Sequence, residues 1–119
     1  MQLHDDMTLR VTALPADAQW APSPLAGVER RMLDRSGGEV ARATSIVRYA
    51  PGARFDRHVH GGGEEILVLQ GVFSDEWGHY PQGSWLRSPR WSQHAPFTGA
   101  EGALILVKVG HVGATFLEP

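Results

Sequence analysis

Residues 58–71 read HVHGGGEEILVLQG, and this stretch says most about the fold. Side chains two apart on an extended strand project to the same face, so His58 and His60 point together. The three glycines that follow allow the backbone to reverse tightly. The next strand then turns Glu64 inward with its apolar residues and Glu65 outward. We therefore expect Glu64, and not Glu65, to join the two histidines.

Short strands separated by turns surround this stretch. Glycine and proline mark reversals at short intervals, and the segments between them are rich in β-branched and aromatic residues. The segment from Val40 to Tyr49 alternates as a strand with one buried face does. Glu65 to Gln70 and Ala103 to Val109 are apolar enough for more fully buried strands. The pattern predicts an all-β protein, a sandwich or a barrel.

Length and composition favour one domain without metal-binding thiols. The chain has 119 residues, which suits a single core. We expect residues 26–119 to form the barrel and residues 1–25, the least patterned part, to form an arm or edge strands. The sequence holds no cysteine, which excludes disulfides, thiolate metal ligands and a cysteine nucleophile.

Charge and hydropathy exclude two kinds of partner. The formal net charge is −2, with no cluster of lysine and arginine of the sort that binds nucleic acid. The acidic N-terminus lacks an apolar segment behind it, and no apolar run is long enough to span a bilayer. We expect no nucleic-acid partner, no membrane partner and a cytoplasmic location.

A third imidazole is expected to complete a metal site. Of the six histidines, His94 is the best candidate because it follows another turn and the strand from Gly83 to Pro89. Three imidazoles and a carboxylate suit a divalent ion such as Zn²⁺, Fe²⁺, Mn²⁺ or Ni²⁺. The predicted metal ligands are His58, His60, Glu64 and His94, whereas His4, His79 and His111 are expected to be exposed.

At these residues the chain resembles the cupin superfamily. The first cupin motif is matched position by position at Gly52, His58, His60, Glu64 and Gly71, and the second at Gly83, Pro89 and His94. Trp91 stands where the second motif has a glycine, and Thr98 stands where it has an asparagine. Neither departure touches a predicted ligand. The resemblance implies a jelly-roll barrel, the double-stranded β-helix of RmlC-like proteins.

A narrower resemblance, to the ChrR-like cupins, covers roughly residues 40–110. It rests on PG at 51–52, GGEEILVLQGVFSDE at 62–76 and HAP at 94–96. These cupins include the C-terminal domain of zinc-containing ChrR-type anti-sigma factors and free-standing proteins, some of them dioxygenases. The resemblance implies one divalent ion, zinc or iron before manganese or nickel, and a homodimer. In such anti-sigma factors a separate helical domain grips the sigma factor, and without it we expect no sigma-factor binding.

Other residues have two interpretations each. Asp75 and Glu76 are either a catalytic carboxylate pair or, as we favour, a hairpin tip with Trp77 and Gly78. Seven further side chains are candidates to line a pocket, with ordinary packing or a salt-bridged rim as the alternative. They are Arg54, Asp56, Tyr80, Trp85, Arg87, Trp91 and Phe97.

Three functions remain open from the sequence. The first, which we favour, is a metal-dependent, dioxygenase-like enzyme acting on a small carbonyl or aromatic compound. The second is a non-catalytic zinc-binding module that senses a ligand or an oxidant. The third is a structural cupin whose metal only closes the barrel. Four protein ligands leave one or two coordination positions open, which suits a small-molecule ligand or substrate.

Overall fold

The computed structural model of the chain describes residues 2–37 and 42–112, with the side chain of His60 outside the described part. These ranges contain one short 3₁₀ helix, Pro15–Asp17, and nine strands. The strands are β1 (Ala21–Pro22), β2 (Val28–Ser36), β3 (Arg42–Tyr49), β4 (His58–His60), β5 (Glu64–Asp75), β6 (Gly78–Pro81), β7 (Trp85–Ser88), β8 (Ser92–His94) and β9 (Phe97–Val109).

The strands form one large antiparallel sheet and one small one. In the large sheet the order is β1-β2-β3-β9-β5-β6, and β7 also pairs with β5. In the small sheet β4 pairs with β8. The all-β prediction is confirmed. Three of the predicted strands are β3, β5 and β9, the last two longer than expected, while Val40 and Ala41 lie outside the described residues. The strand predicted from Gly83 to Pro89 is β7, which is shorter.

One face of the large sheet forms the core. On β3 the side chains of Ala43, Ser45, Val47 and Tyr49 are buried, and this is the face that the alternation predicts. Phe73, Val68 and Ile105 are the largest fully buried side chains. The Tyr49 ring packs edge-on against Phe55 and Phe73, with both centroid distances 5.6 Å.

A bulge in β2 decides which charged side chain faces the core. Met32 pairs with Ser45, and Asp34 pairs with the residue just before it, Thr44, so Leu33 is an extra residue. Such an insertion shifts the inward and outward alternation by one position. Arg35 therefore lies opposite the buried Ala43, on the same face as Arg30.

Strand β5 turns sharply at Gly71. The backbone there has φ +73°, and a Cβ atom would lie 2.3 Å from the carbonyl oxygen of Gly102. Glycine alone meets both conditions. The pairing of β5 with β9 also shifts register on either side of this position. The strand bends, and its two ends approach the same part of the barrel.

The N-terminal segment runs beside β2. Leu3 forms an isolated bridge with Arg35, and β1 pairs with β2 through Ala21 and Arg30. The imidazole of His4 lies 2.9 Å from the carbonyl oxygen of Leu33. Among the described residues there is no helix of the length and apolar character needed to cross a bilayer.

Candidate metal centre

Three of the four predicted ligands lie close together. His58 of β4 pairs directly with His94 of β8, and their ring centroids are 5.2 Å apart. Nε2 of His94 lies 3.0 Å from Oε1 of Glu64, the first residue of β5. His94 and Glu64 are buried, with 5% and 6% of their surface exposed. The backbone of His60 pairs with Ser92, and its side chain lies outside the described part.

The donor set fits a divalent ion without completing a site. No three of the described histidine, aspartate and glutamate side chains are close enough to hold a metal ion by themselves. Two donors, each about 2.1 Å from one ion, lie about 3.0–3.4 Å apart, depending on its coordination geometry. The separation of 3.0 Å between Glu64 and His94 matches that range. Imidazole and carboxylate donors suit zinc or iron.

The ring of His58 has a defined tautomer. Its Nδ1 lies 2.9 Å from the backbone carbonyl oxygen of Asp56. A carbonyl only accepts hydrogen bonds, so Nδ1 carries the proton and Nε2 keeps its lone pair. This is the usual arrangement of a metal-binding histidine, whose second nitrogen donates to a carbonyl or a carboxylate.

Asp75 supports His94 from the opposite side. Oδ2 of Asp75 lies 3.6 Å from Nδ1 of His94. Oδ1 of the same carboxylate accepts hydrogen bonds from the Tyr80 hydroxyl and the Trp77 backbone N–H, both at 3.0 Å. These hydrogen bonds hold Asp75 in place. Its charge favours the tautomer of His94 with the proton on Nδ1, in which the lone pair of Nε2 is directed toward Glu64.

Glu76 ties the turn to both histidine strands. Its Oε1 accepts a hydrogen bond of 3.0 Å from the N–H of Ala95, the residue after His94. Its Oε2 lies 2.7 Å from the guanidinium of Arg57, the residue before His58. The predicted turn is present between β5 and β6. Sequence reasoning missed that this turn also positions the candidate ligands, because no spacing rule connects it to β4 or β8.

The carboxylates around the site change the acidity of their neighbours. Burial lowers the pKa of His94, but the hydrogen bonds and charges of Glu64 and Asp75 outweigh it, so its pKa lies above the ordinary value. The hydrogen bond from Ala95 and the charge of Arg57 help to hold the pKa of Glu76 below its usual range.

The three grouped side chains border a cavity inside the barrel. Its volume is about 320 Å³, at the lower end of the range of small-molecule sites. Most of its lining is apolar and includes Val47, Phe55, Ile66, Phe73, Ile105 and Val107. The polar lining residues besides the candidate ligands are Ser23, Arg30, Arg35, Ser45 and Tyr49. Burial, followed by the charge of Glu64, raises the pKa of Tyr49, so its hydroxyl stays neutral.

The seven pocket candidates lie outside the lining of this cavity. Trp85 and Trp91 are 55% and 68% exposed. Arg87 stacks on Trp85 at 4.9 Å and lies 3.8 Å from the outward-facing Glu65. Two other candidates touch the site indirectly, Asp56 through its carbonyl and Tyr80 through Asp75.

The remaining two candidates pair with each other. The guanidinium of Arg54 lies 5.2 Å from the ring centroid of Phe97. The two residues also form an isolated β-bridge. The lining of the cavity includes Pro96, the residue before Phe97, but not Phe97 itself. Alternation along β2 from the buried Val28 is a signal that would have pointed to Arg30. It would not have pointed to Arg35, which reaches the same face only because of the bulge.

The two departures from the second cupin motif have structural roles. Trp91 adopts φ +67°, the left-handed conformation that the motif's glycine takes without strain. Its ring covers Gly61, where an added Cβ would lie 3.1 Å from the ring. Thr98 donates a hydrogen bond of 2.7 Å to the Ala50 carbonyl and accepts one of 3.1 Å from the Ala53 N–H. Thr98 thus holds the turn before β4.

Comparison with known proteins identifies the fold class and then the family. The structure is similar to that of an RmlC-like cupin from Ralstonia eutropha, at 18% identity and a TM-score of 0.72, over 86% of this chain and 69% of the other. It is similar to a putative acetylacetone dioxygenase from Methylibium petroleiphilum, at 18% identity and a TM-score of 0.71, over 88% and 78%. The fold is therefore a cupin jelly roll, as predicted.

Residues 8–113 match the family model of the ChrR cupin-like domain, and the chain belongs to that family. It is similar to the anti-sigma factor ChrR from Rhodobacter sphaeroides, seen in complex with SigE, at 26% identity and a TM-score of 0.66. The match covers 81% of this chain and 50% of ChrR, so this chain spans half of that protein. No curated protein sequence matches it.

Proposed function

We propose that this chain is a metal-dependent cupin that binds one divalent ion through His58, His60, Glu64 and His94 and acts on a small carbonyl or aromatic compound as a dioxygenase-like enzyme. The observation that carries the proposal is that Glu64 and His94, 3.0 Å apart, lie beside His58 at the border of an apolar cavity. Burial of polar groups lowers the stability of the folded protein, so several buried polar side chains around one cavity indicate a functional site.

The chain's own residues would each have a defined task. His58 and His94 present Nε2 with the Nδ1 atoms directed toward the Asp56 carbonyl and Asp75. Glu64 adds a negative charge that favours binding of a cation. Apolar side chains such as Phe73 exclude water from a bound substrate. When bound, a redox-active ion such as Fe²⁺ would supply the capacity to polarise a carbonyl group and to react with O₂.

One structural comparison supports this function. Similarity to a putative acetylacetone dioxygenase extends over 88% of the chain, at an identity that establishes the fold alone. An enzyme of this kind needs an open metal position beside an apolar pocket. The cavity of about 320 Å³ accommodates a small carbonyl or aromatic compound.

A second candidate function is a non-catalytic zinc module that senses a ligand or an oxidant. The observation that favours it is the ChrR cupin-like family match over residues 8–113. In this case the ion would be zinc, and a partner protein would respond to whether the cavity holds a ligand. A sigma factor, which the sequence did not lead us to expect, is one such partner by analogy with the complex of ChrR and SigE.

Metal analysis followed by oxygen uptake separates the two functions. The protein is purified without added metal, its metal content is measured, and it is then loaded with Fe²⁺ and given acetylacetone or a hydroxyaryl ketone. Oxygen uptake that depends on Fe²⁺ and substrate, and that is lost in Glu64→Gln, supports the enzyme. Tight zinc without turnover by any redox metal would contradict it and favour the sensing module.

We also propose a homodimer. Cupins commonly pair through N-terminal segments, and here Met7 and Leu9 are each 66% exposed on that segment. Light scattering of the purified protein measures its mass directly. Met7→Ser together with Leu9→Ser is expected to weaken the dimer, and a monomeric wild type would contradict the proposal.

A further inference from the structure

The lining of the barrel cavity carries two guanidinium groups and one carboxylate. Arg30 and Arg35 both extend from β2, and Glu64 is the only acidic residue among the described residues that line the cavity. The bulge at Leu33 makes this possible, because it places Arg35 on the same face as Arg30. Such a cavity is prepared for a negative group on its β2 wall.

Arg30 is the residue whose partner is missing. Its Nε atom is buried and has no hydrogen-bond acceptor among the described residues. None of the described carboxylates forms an ion pair with its guanidinium. A buried cationic donor without an acceptor destabilises the protein unless something completes its hydrogen bonds. A guanidinium matches the geometry of a carboxylate, which accepts two parallel hydrogen bonds from it.

We propose that the cavity binds a small organic acid, with its carboxylate on Arg30 and its other end directed toward His58, Glu64 and His94. This inference names a substrate class for the proposed function. Only the part of it that concerns the end of the ligand near His58, Glu64 and His94 rests on that function. Aliphatic side chains, among them Val47, Ile66 and Ile105, accept the apolar body of the molecule. The volume of about 320 Å³ restricts the ligand to a small acid.

Two matched probes test this preference. Acetoacetate and acetylacetone have the same number of non-hydrogen atoms, and a carboxylate oxygen of the first replaces a methyl group of the second. Calorimetry measures their binding to the wild type, to Arg30→Gln and to the control Arg48→Gln. Arg48 lies on the outer face, where it pairs with Glu29 and stacks on Trp20, so the control removes an equal charge elsewhere.

The wild type is expected to bind acetoacetate about tenfold more tightly than acetylacetone, since a hydrogen bond to a charged group is worth at least that factor. Arg30→Gln should abolish this preference, because it weakens the binding of acetoacetate more than that of acetylacetone. Arg48→Gln should keep it. Arg30→Lys retains the positive charge and should keep part of the preference. Circular dichroism of each variant establishes that it is folded.

The same titrations on metal-free protein separate this inference from the proposed function. If the protein holds no metal but acetoacetate still depends on Arg30, only the proposed metal site fails. If metal binds normally and the wild type binds both probes equally, or Arg30→Gln keeps the preference, the inference is overturned. Failure of both probes to bind at millimolar concentration also overturns it.

Discussion

Two parts of the barrel are both buried but differ in chemistry. In the apolar wall, Val68, Phe73 and Ile105 are at most 1% exposed, and at the polar end Glu64 and His94 are 6% and 5% exposed. Burial of the wall stabilises the fold through removal of apolar surface from water. Burial of the polar end opposes folding unless its charges are paired. The apolar wall therefore accounts for the stability of the fold. The burial of polar residues at the other end does not, and it is explained by a role in function.

A single strand joins the two parts. Strand β5 begins with Glu64 and ends with Asp75, and both carboxylates face the imidazole of His94. The apolar residues of the wall, including Val68 and Phe73, lie between them in sequence. The bend at Gly71 brings the two ends toward each other. Substitutions along β5 therefore separate effects on stability from effects on metal binding.

The largest expected effect is on stability, at Phe73 of the wall. Phe73→Ala should lower the free energy of unfolding by about 3–5 kcal/mol, since it opens a cavity in a side-chain environment with 0% exposure. Urea denaturation of the metal-free protein measures it. Trp77→Ala removes a ring that is 70% exposed and should cost less than about 1 kcal/mol. A smaller loss in the free energy of unfolding at Phe73 than at Trp77 would contradict the conclusion that the apolar wall stabilises the fold.

At the polar end the largest expected effect is on metal affinity. Glu64→Gln preserves the shape of the side chain and removes the charge 3.0 Å from Nε2 of His94. We expect metal affinity to fall more than about 100-fold, beyond the range for partners outside the ligand set. Competition with a chelator of known affinity measures it. Glu65→Gln changes the outward neighbour, and an equal loss there would refute the assignment of faces.

A smaller loss is expected at the other end of β5. Asp75→Asn keeps the acceptor for Tyr80 and Trp77 but removes the charge facing His94. Metal affinity should fall about 10–100-fold, as it does when an outer partner of a ligating histidine is changed. The chelator competition applies here too. Unchanged affinity would show that Asp75 only closes the turn.

The smallest effect is a pH dependence at Glu76. Its pKa in the folded protein lies below the ordinary value of 4.5, so its contribution to stability is present above that value and is lost as the pH falls through the lowered one. Urea midpoints of the wild type and Glu76→Gln should differ slightly at neutral pH. They should converge under more acidic conditions. A difference that grows on acidification would contradict the contact with Arg57 and Ala95.

Much of the fold and part of the candidate site follow from local pattern. Strand alternation predicts that Glu64 faces inward and Glu65 outward, and the structure shows this. Motif spacing predicts that His94 lies beside His58, and the two residues pair directly. The fourth predicted ligand, His60, stays a prediction, since its side chain lies outside the described part. The seven pocket candidates do not line this cavity, and their role stays a prediction; exposed aromatics such as Trp85 resemble buried ones in sequence.

Local rules thus determined the all-β class and the strand faces, because side chains two apart on a strand share a face whatever the rest of the chain does. Together with the motif spacing, they also supplied the four ligand candidates. Tertiary structure alone decided that the turn at Asp75 holds His94, and that a bulge at Leu33 places Arg35 on the same face of β2 as Arg30. Contacts of this kind depend on how a bent sheet closes on itself, which no short stretch of sequence encodes.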